Sequence, residues 1–351
     1  MLTSNPSPLP KYLKEDELSE ECKTLIPTLP TAPGWVHTTL YKYQGFWINS
    51  RLLQGVISCQ KHFQSQHTDI LLVTTPKSGT TWLKSILFTL INRTHLPPTQ
   101  QNHPLLSTNP HILVPFLELK LYIEESNPDL SSFTSPRLFS THLPYNSLPK
   151  SVQDSRCKIV YLCRNPKDTF VSLWAFANKL RLEQMGSNSL EQVFENFCEG
   201  VSLYGPFWDH VLSYWHLSLK NPEKICFLTY EEMKEEPEIH LRKLAEFLGC
   251  PISKKEDGEN MVEGILDICS FDNLSNLKVN KEGKLPSGLN NSAFFRKGEV
   301  GDWKNYLTME MVERLEKICE VGDWKNYLTM EMVERLEKIC EEKLDGSGLK
   351  F

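Results

Sequence analysis

Asp69–Arg93 reads DILLVTTPKSGTTWLKSILFTLINR, and its reading decides the fold. Ile70 to Thr75 is a charge-free, β-rich run of the kind that makes a buried parallel strand. Pro76 ends the ladder. Lys77-Ser78-Gly79-Thr80-Thr81 then leads into Trp82, Leu83, Ile86, Leu87, Leu90 and Ile91, which recur like one face of a helix. A strand, a tight loop with Lys, Gly and hydroxyls, and a helix start together make a P-loop-like, phosphate-binding loop. Amides without intrahelical acceptors and the positive end of the helix dipole face the ligand, and Lys77 adds a charge. The GxxxxGK[ST] pattern is not met, because the stretch has a single Gly and its Lys comes first. Taken alone, the loop also suits an ordinary strand–helix turn with a surface Lys.

The rest of the chain continues the alternation. Residues 51–66 read as a helix, and Arg137–His142 as a short strand ending in a histidine. Lys158–Cys163 is a strand broken by Arg164-Asn165-Pro166. Asp168 or Thr169 is expected to cap the helix that follows, with Ser172 one turn inside it. Residues 190–219 read as two helices broken near Gly205-Pro206, and 224–229 as a strand ending at Tyr230-Glu231-Glu232. An amphipathic helix at 238–248 is closed by Gly249. This order predicts an α/β fold: one domain with a mainly parallel central sheet flanked by helices. In such sheets ligands bind past the carboxyl ends of the strands, where Lys77, His142, Arg164 and Tyr230 all fall. Any one of them alone reads as a surface or structural residue. Four polar groups on one edge favour a site.

Segments 94–115 and 251–300 read as irregular and polar, the first as a loop over the site. The second carries Phe271 and a basic Arg296-Lys297-Gly298 suited to clamp an anion, or else to a solvated loop. The aromatics Tyr41, Tyr43, Phe46 and Trp47 read mainly as core, secondarily as the wall of an apolar pocket.

At 351 residues, with 40% apolar and 23% charged side chains, the chain has room for one large α/β domain or two smaller ones. A net charge of −6 gives no reason to expect a nucleic-acid partner. Ten cysteines include no CxxC and none at zinc spacing, which predicts scattered thiols in a reducing compartment and no metal. The polar, Pro-rich N-terminal stretch has no signal-peptide pattern, and no apolar run reaches the roughly 20 residues that span a bilayer. A cytoplasmic protein without membrane contact is expected.

VGDWKNYLTMEMVERLEKICE fills 300–320 and recurs letter for letter at 321–341. Repeat arrays drift and need about three units for a core, so an undrifted pair points to a recent duplication or a gene-model artefact. The expected organisation is a loosely ordered arm at 1–35 and a catalytic domain at 36–320. A surplus copy at 321–341 and a tail at 342–351 complete it. The first copy is expected to dock through a Leu307, Met311, Leu315, Ile318 stripe. The second is expected to form a partly exposed helix with Trp324 near its start.

Together these pieces resemble the cytosolic sulfotransferase family, in a plant-like form. The matching motifs are Pro76–Trp82, Ser140-Thr-His-Leu-Pro144, Cys163–Asp168 with Ser172, Thr229–Met233, and Arg296-Lys-Gly298 followed by Gly301-Asp-Trp-Lys304. The resemblance implies the co-substrate 3′-phosphoadenylyl sulfate (PAPS), with Lys77, Ser78, Gly79, Thr80, Thr81 and Trp82 at its 5′-phosphosulfate end. Arg164, Ser172, Arg296, Lys297 and Gly298 would hold the 3′-phosphate, and Trp82, Tyr230 and Phe271 would frame the adenine. His142 would be the general base and Lys77 the group that stabilises charge on the bridging oxygen. Many animal members have Lys where this chain has Ser140, which throws more of that burden on Lys77. The family's KxxxTVxxxE dimerisation stretch is met by Lys304, Thr308 and Glu313 but with Met309 for Val, so a homodimer is left open. The acceptor is expected to be a small hydroxylated, apolar or phenolic metabolite, with flavonoids and brassinosteroids first. A Mg²⁺-dependent P-loop kinase is the alternative, kept by Glu231 and Glu232 after a strand, and an inactive nucleotide-binding scaffold the second.

Overall fold

Residues 18–36, 39–181 and 185–321 are described by a computed structural model. A helix α1 (Glu20–Leu25) and a three-stranded antiparallel sheet, β1 (Thr31–Pro33), β2 (Thr39–Tyr43) and β3 (Phe46–Asn49), lead into α2 (Ser50–His62). Next come β4 (Ile70–Thr74), α3 (Thr80–Asn92), α4 (Pro110–Leu113), a π-helical turn at Leu117–Leu121, and α5 (Tyr122–Glu124). These are followed by β5 (Leu138–Thr141), α6 (Lys150–Asp154), β6 (Lys158–Cys163), α7 (Pro166–Leu180), α8 (Leu190–Cys198), α9 (Phe207–Lys220) and β7 (Ile225–Thr229). Seven helices complete the described chain: α10 (Tyr230–Glu235), α11 (Pro237–Phe247), α12 (Lys254–Gly258), α13 (Met261–Ile268), α14 (Phe271–Asn276) and α15 (Lys278–Glu282) in one unit that ends at Tyr306, and α16 (Met309–Val321) in a second that begins at Leu307.

The central sheet runs β5-β4-β6-β7, all parallel, with Ile70 opposite both Leu138 and Lys158 and Cys163 opposite Thr229. Successive side chains alternate between faces, so one strand feeds two cores. Leu71, Val73, Ile159 and Tyr161 pack with Leu52, Leu53 and Val56 of α2. Ile70, Leu72, Val160 and Leu162 pack with Leu83, Ile86, Leu87 and Leu90 of α3. The charge-free run at 70–74 follows from this double burial, and so does the position of its loop in the middle of the sheet edge.

Several boundaries differ from the sequence reading. Within the stretch read as an arm, α1 and β1 are formed and Cys22 is fully buried. The helix after it stops at His62, not 66. Phe63 turns extended and sets its ring edge-on to Tyr122 and Phe139. The cap of α7 is Asn165, which accepts from Lys167 N–H, with Pro166 in the first turn. Asp168 instead accepts the N–H groups of Gly301 and Trp303, at 2.7 and 3.0 Å, tying the basic segment to α7. Segment 94–115 enters the core through Leu105 and Val114. Segment 251–300 holds α12 to α15, whose Val262, Ile265 and Ile268 join the α3 core. Within α16 the buried residues are Val312 and Leu315, while Met309 is 72% exposed. The second repeat copy, with Trp324, lies outside the described residues. Among the described residues no helix is long and apolar enough to cross a membrane.

Candidate active site

A cleft of about 380 Å³ opens at the carboxyl ends of β4, β5 and β6 and the start of α10. Its floor is the 76–82 loop. Lys77 and Gly79 both sit at positive φ, +71° and +104°, so the chain turns sharply and α3 begins at Gly79 with no side-chain cap. A Cβ on Gly79 would lie 2.7 Å from the Tyr230 ring, so only Gly brings this backbone so close. Thr80 Oγ1 is tied to Thr74 Oγ1 at 2.7 Å. Every site residue expected from sequence lines the cleft except Ser78. That hydroxyl is fully buried and bonded to Thr75 Oγ1 at 2.5 Å, so it stiffens the loop from behind.

At one end the cleft gathers positive charge. Burial, then the charges of Lys179, Arg296 and Arg164, pulls Lys77 down to about 7. Its ammonium sits 4.1 Å from the Phe176 centroid. Arg164 lies over the Tyr230 ring at 4.5 Å and donates to Glu299 O at 2.6 Å, while Tyr230 donates to Gly298 O at 3.0 Å. Trp82 meets Tyr230 edge-on, centroids 5.5 Å apart, and the Phe271 ring packs against Gly298. The expected clamp is not free. Arg296 and Lys297 are both paired to Asp302, whose acid burial would raise, but their hydrogen bonds hold it at about 2. Even so, Arg164 Nε and Arg296 Nε are buried with no hydrogen-bond partner. Clustered cations with orphaned donors fit an anion.

At the other end is His142. Its Nδ1 is 2.7 Å from Thr74 O, an atom that can only accept, so Nδ1 carries the proton and Nε2 keeps its lone pair. Burial first, and the charges of Lys84, His210 and Lys77, lower it to about 3, so the ring is neutral. Its backbone is held from two sides. His142 N–H donates to Glu118 Oε1 at 2.8 Å, and His210 Nε2–H donates to His142 O at 2.9 Å. Glu118, kept high by burial, also accepts from the Thr141 and Tyr204 hydroxyls. Phe116 and Tyr204 stand beside the imidazole at 4.6 and 5.4 Å.

Sequence reading missed Lys84, His111, Phe116, Glu118, Phe294 and Lys179 individually. His111, Phe116, Leu119, Phe176, Leu203 and Tyr204 line the cleft. The 41–47 aromatics do not, with Phe46 and Trp47 buried in the core. Glu231, which kept metal chemistry open, accepts Asn165 N–H at 3.0 Å.

A sulfotransferase-domain family model matches residues 67–321 and again 318–348, a segment that spans the second repeat copy. Cytosolic sulfotransferase 5 of Arabidopsis thaliana is 49% identical over 340 residues, 97% of this chain and 99% of the relative. A solved Arabidopsis thaliana structure described as a steroid sulphotransferase superposes with a TM-score of 0.69 at 41% identity, covering 95% and 98% of the two chains. A mouse sulfotransferase complexed with PAP superposes with a TM-score of 0.61 at 28% identity, covering 81% of this chain and 95% of its own. The chain therefore belongs to the sulfotransferase family.

Proposed function

We propose that the protein moves a sulfuryl group from PAPS to a hydroxyl of a flat, apolar acceptor in the cytosol, a flavonoid-type phenol fitting best. One observation carries the reading: a single cleft holds two buried arginine Nε–H donors without hydrogen-bond partners at one end and an unprotonated His142 Nε2 among aromatic rings at the other. When bound, PAPS supplies an activated sulfuryl group whose leaving side is a phosphate. Lys77 places positive charge where the bridging oxygen gains electrons. Arg164, Arg296, Lys297 and Ser172 grip the 3′-phosphate, and Trp82, Tyr230 and Phe271 frame the adenine. His142 Nε2 takes the acceptor proton, and the stacked aromatics exclude water from in-line transfer. Phe116, Phe176, Tyr204 and Phe294 line the acceptor end and favour a planar ring system. A brassinosteroid is the second reading, favoured by the likeness to the protein described as a steroid sulphotransferase. The same assignment takes 36–320 as the catalytic domain and 321–341 as surplus to it.

With purified protein and PAPS, a flavonol is expected to be sulfated at a rate unchanged by EDTA. Loss of turnover in EDTA, or turnover of ATP in place of PAPS, sinks the assignment. Sulfation of a brassinosteroid but no flavonol corrects only the acceptor. Gly298→Ala is a sharp test of the nucleotide end. At φ +70°, with its Cβ directed to within 2.5 Å of the Phe271 ring, the variant must push the adenine frame apart. PAP affinity by calorimetry is expected to fall roughly tenfold or more, the equivalent of 1–3 kcal/mol of backbone strain.

A further inference from the structure

Lys84 is a lysine with no surface. It lies in α3, just past the phosphate loop, with its side chain fully buried. Its nitrogen is 2.8 Å from Val114 O, 3.1 Å from His111 Nδ1 and 3.5 Å from the centroid of the Phe116 ring. A charged amine has three hydrogens for the carbonyl, the imidazole nitrogen and the π face, whereas a neutral one would accept from His111 Nδ1–H. Burial pulls it well below the ordinary lysine value and the Glu118 carboxylate offsets part of that, so the ammonium rests on the carbonyl and π-face contacts. Ser140 Oγ shares the same Val114 carbonyl at 3.3 Å, so the ammonium stands beside the strand position two residues before His142.

With Lys84 donating, His111 Nδ1 accepts, and the His111 proton is on Nε2. That N–H reaches Thr81 Oγ1 at 2.9 Å. The Thr81 oxygen is thereby occupied as an acceptor, and its own hydrogen is left for the cleft that Thr81 and His111 both line. The His111 ring is clamped for this task. Phe294 lies 4.1 Å from it, and its backbone N–H is held by Asn109 Oδ1 at 2.9 Å.

We propose that Lys84 and His111 are positioning residues of the transfer site. The buried ammonium fixes the His111 tautomer, and His111 in turn fixes Thr81 as a hydrogen-bond donor to the anionic 5′-phosphosulfate end of the donor. The inference rests on the sulfotransferase reading, and it adds a second polar chain beside the one through Thr74 and His142 Nδ1.

The test is a double-mutant cycle on the full chain, read as kcat and KM for PAPS with a saturating flavonol. Thr81→Val and His111→Leu are each expected to lower kcat roughly tenfold, as loss of a charge-assisted hydrogen bond does, and the double variant no further. Lys84→Met removes a buried charge, so it is expected to keep the fold and to match His111→Leu. His111→Gln can accept with its carbonyl and donate with its amide, and is expected to stay within roughly threefold of the parent. A His111→Leu enzyme with parental kcat and PAPS KM overturns the proposal, and so does one whose only change is acceptor KM. Losses that multiply in the double variant, or a His111→Gln no better than His111→Leu, overturn it too. Thermal melting identifies variants that fail to fold, and the Gln comparison then decides. Parent protein that turns over no PAPS with either a flavonol or a brassinosteroid defeats the sulfotransferase reading itself, an outcome distinct from an intact parent with an indifferent His111.

Discussion

His142→Ala is expected to lower kcat by roughly 10²–10⁴-fold while PAP affinity stays within about twofold of the parent. The two readouts separate because the two ends of the cleft are built by different elements. The donor end rests on the 76–82 loop, Arg164 of the β6–α7 turn and the 296–298 segment. His142 follows β5 and is fixed through Thr74 O on Nδ1 and through Glu118 and His210 on its backbone. The Ala variant keeps both backbone bonds, so the strand end stays in place and only the base is lost. Burial and the charges of Lys84, His210 and Lys77 keep the imidazole at about 3, so it is already neutral and able to accept across the physiological range. Arrival of an anionic donor offsets those cations and makes the ring a stronger base at the moment it is needed. Near-parental kcat in the Ala variant removes His142 from the mechanism, and lost PAP binding assigns it to the scaffold instead.

The sheet was legible because its signals are local. The doubly buried run at 70–74, the Pro and Gly that stop it, and the helix stripe beyond are each written in consecutive residues. His142, Arg164 and Tyr230 could be placed because a parallel sheet sends every strand end to one edge. What escaped depends on distant pairings. Nothing near Lys84 marks it as buried, since a Lys between Leu83 and Ser85 ordinarily snorkels to solvent; its partners lie in the 111–116 segment, which reads as loop. Asp302 neutralises a clamp that looked free from its sequence alone. The helices at 254–282 were hidden by a polar composition in which a few buried residues, Val262, Ile265 and Ile268, make the contact with the core. The repeat is the opposite case. Its identity to the letter is visible at once, and the family model's second match, at 318–348, spans the copied unit.

Lys77→Met is expected to cost roughly 10²–10³ in kcat, the usual loss when a group aimed at developing charge is removed. It is also expected to flatten the pH dependence of PAP binding. In the free protein burial and the charges of Lys179, Arg296 and Arg164 hold Lys77 at about 7, so above neutrality most molecules have lost that proton. A phosphate bound beside the amine favours the charged form and raises the value again. Between the free and bound values binding therefore takes up a proton, and PAP affinity falls as pH rises above about 7, by up to tenfold per pH unit. The arginines cannot supply this slope because guanidinium does not titrate here, and His142 is neutral well below the window. Calorimetry from pH 6 to 9, above the second ionisation of a phosphate at about 6, reads the slope in parent and variant. Methionine keeps an unbranched apolar side chain in place of the lysine stem, so packing is a minor loss. A variant with weakened PAP binding and intact kcat makes Lys77 a ground-state anchor. Loss of kcat beyond loss of affinity means that its charge acts where the sulfuryl–oxygen bond is breaking, and the depressed value is then the mark of a cation held ready for an anion to complete it.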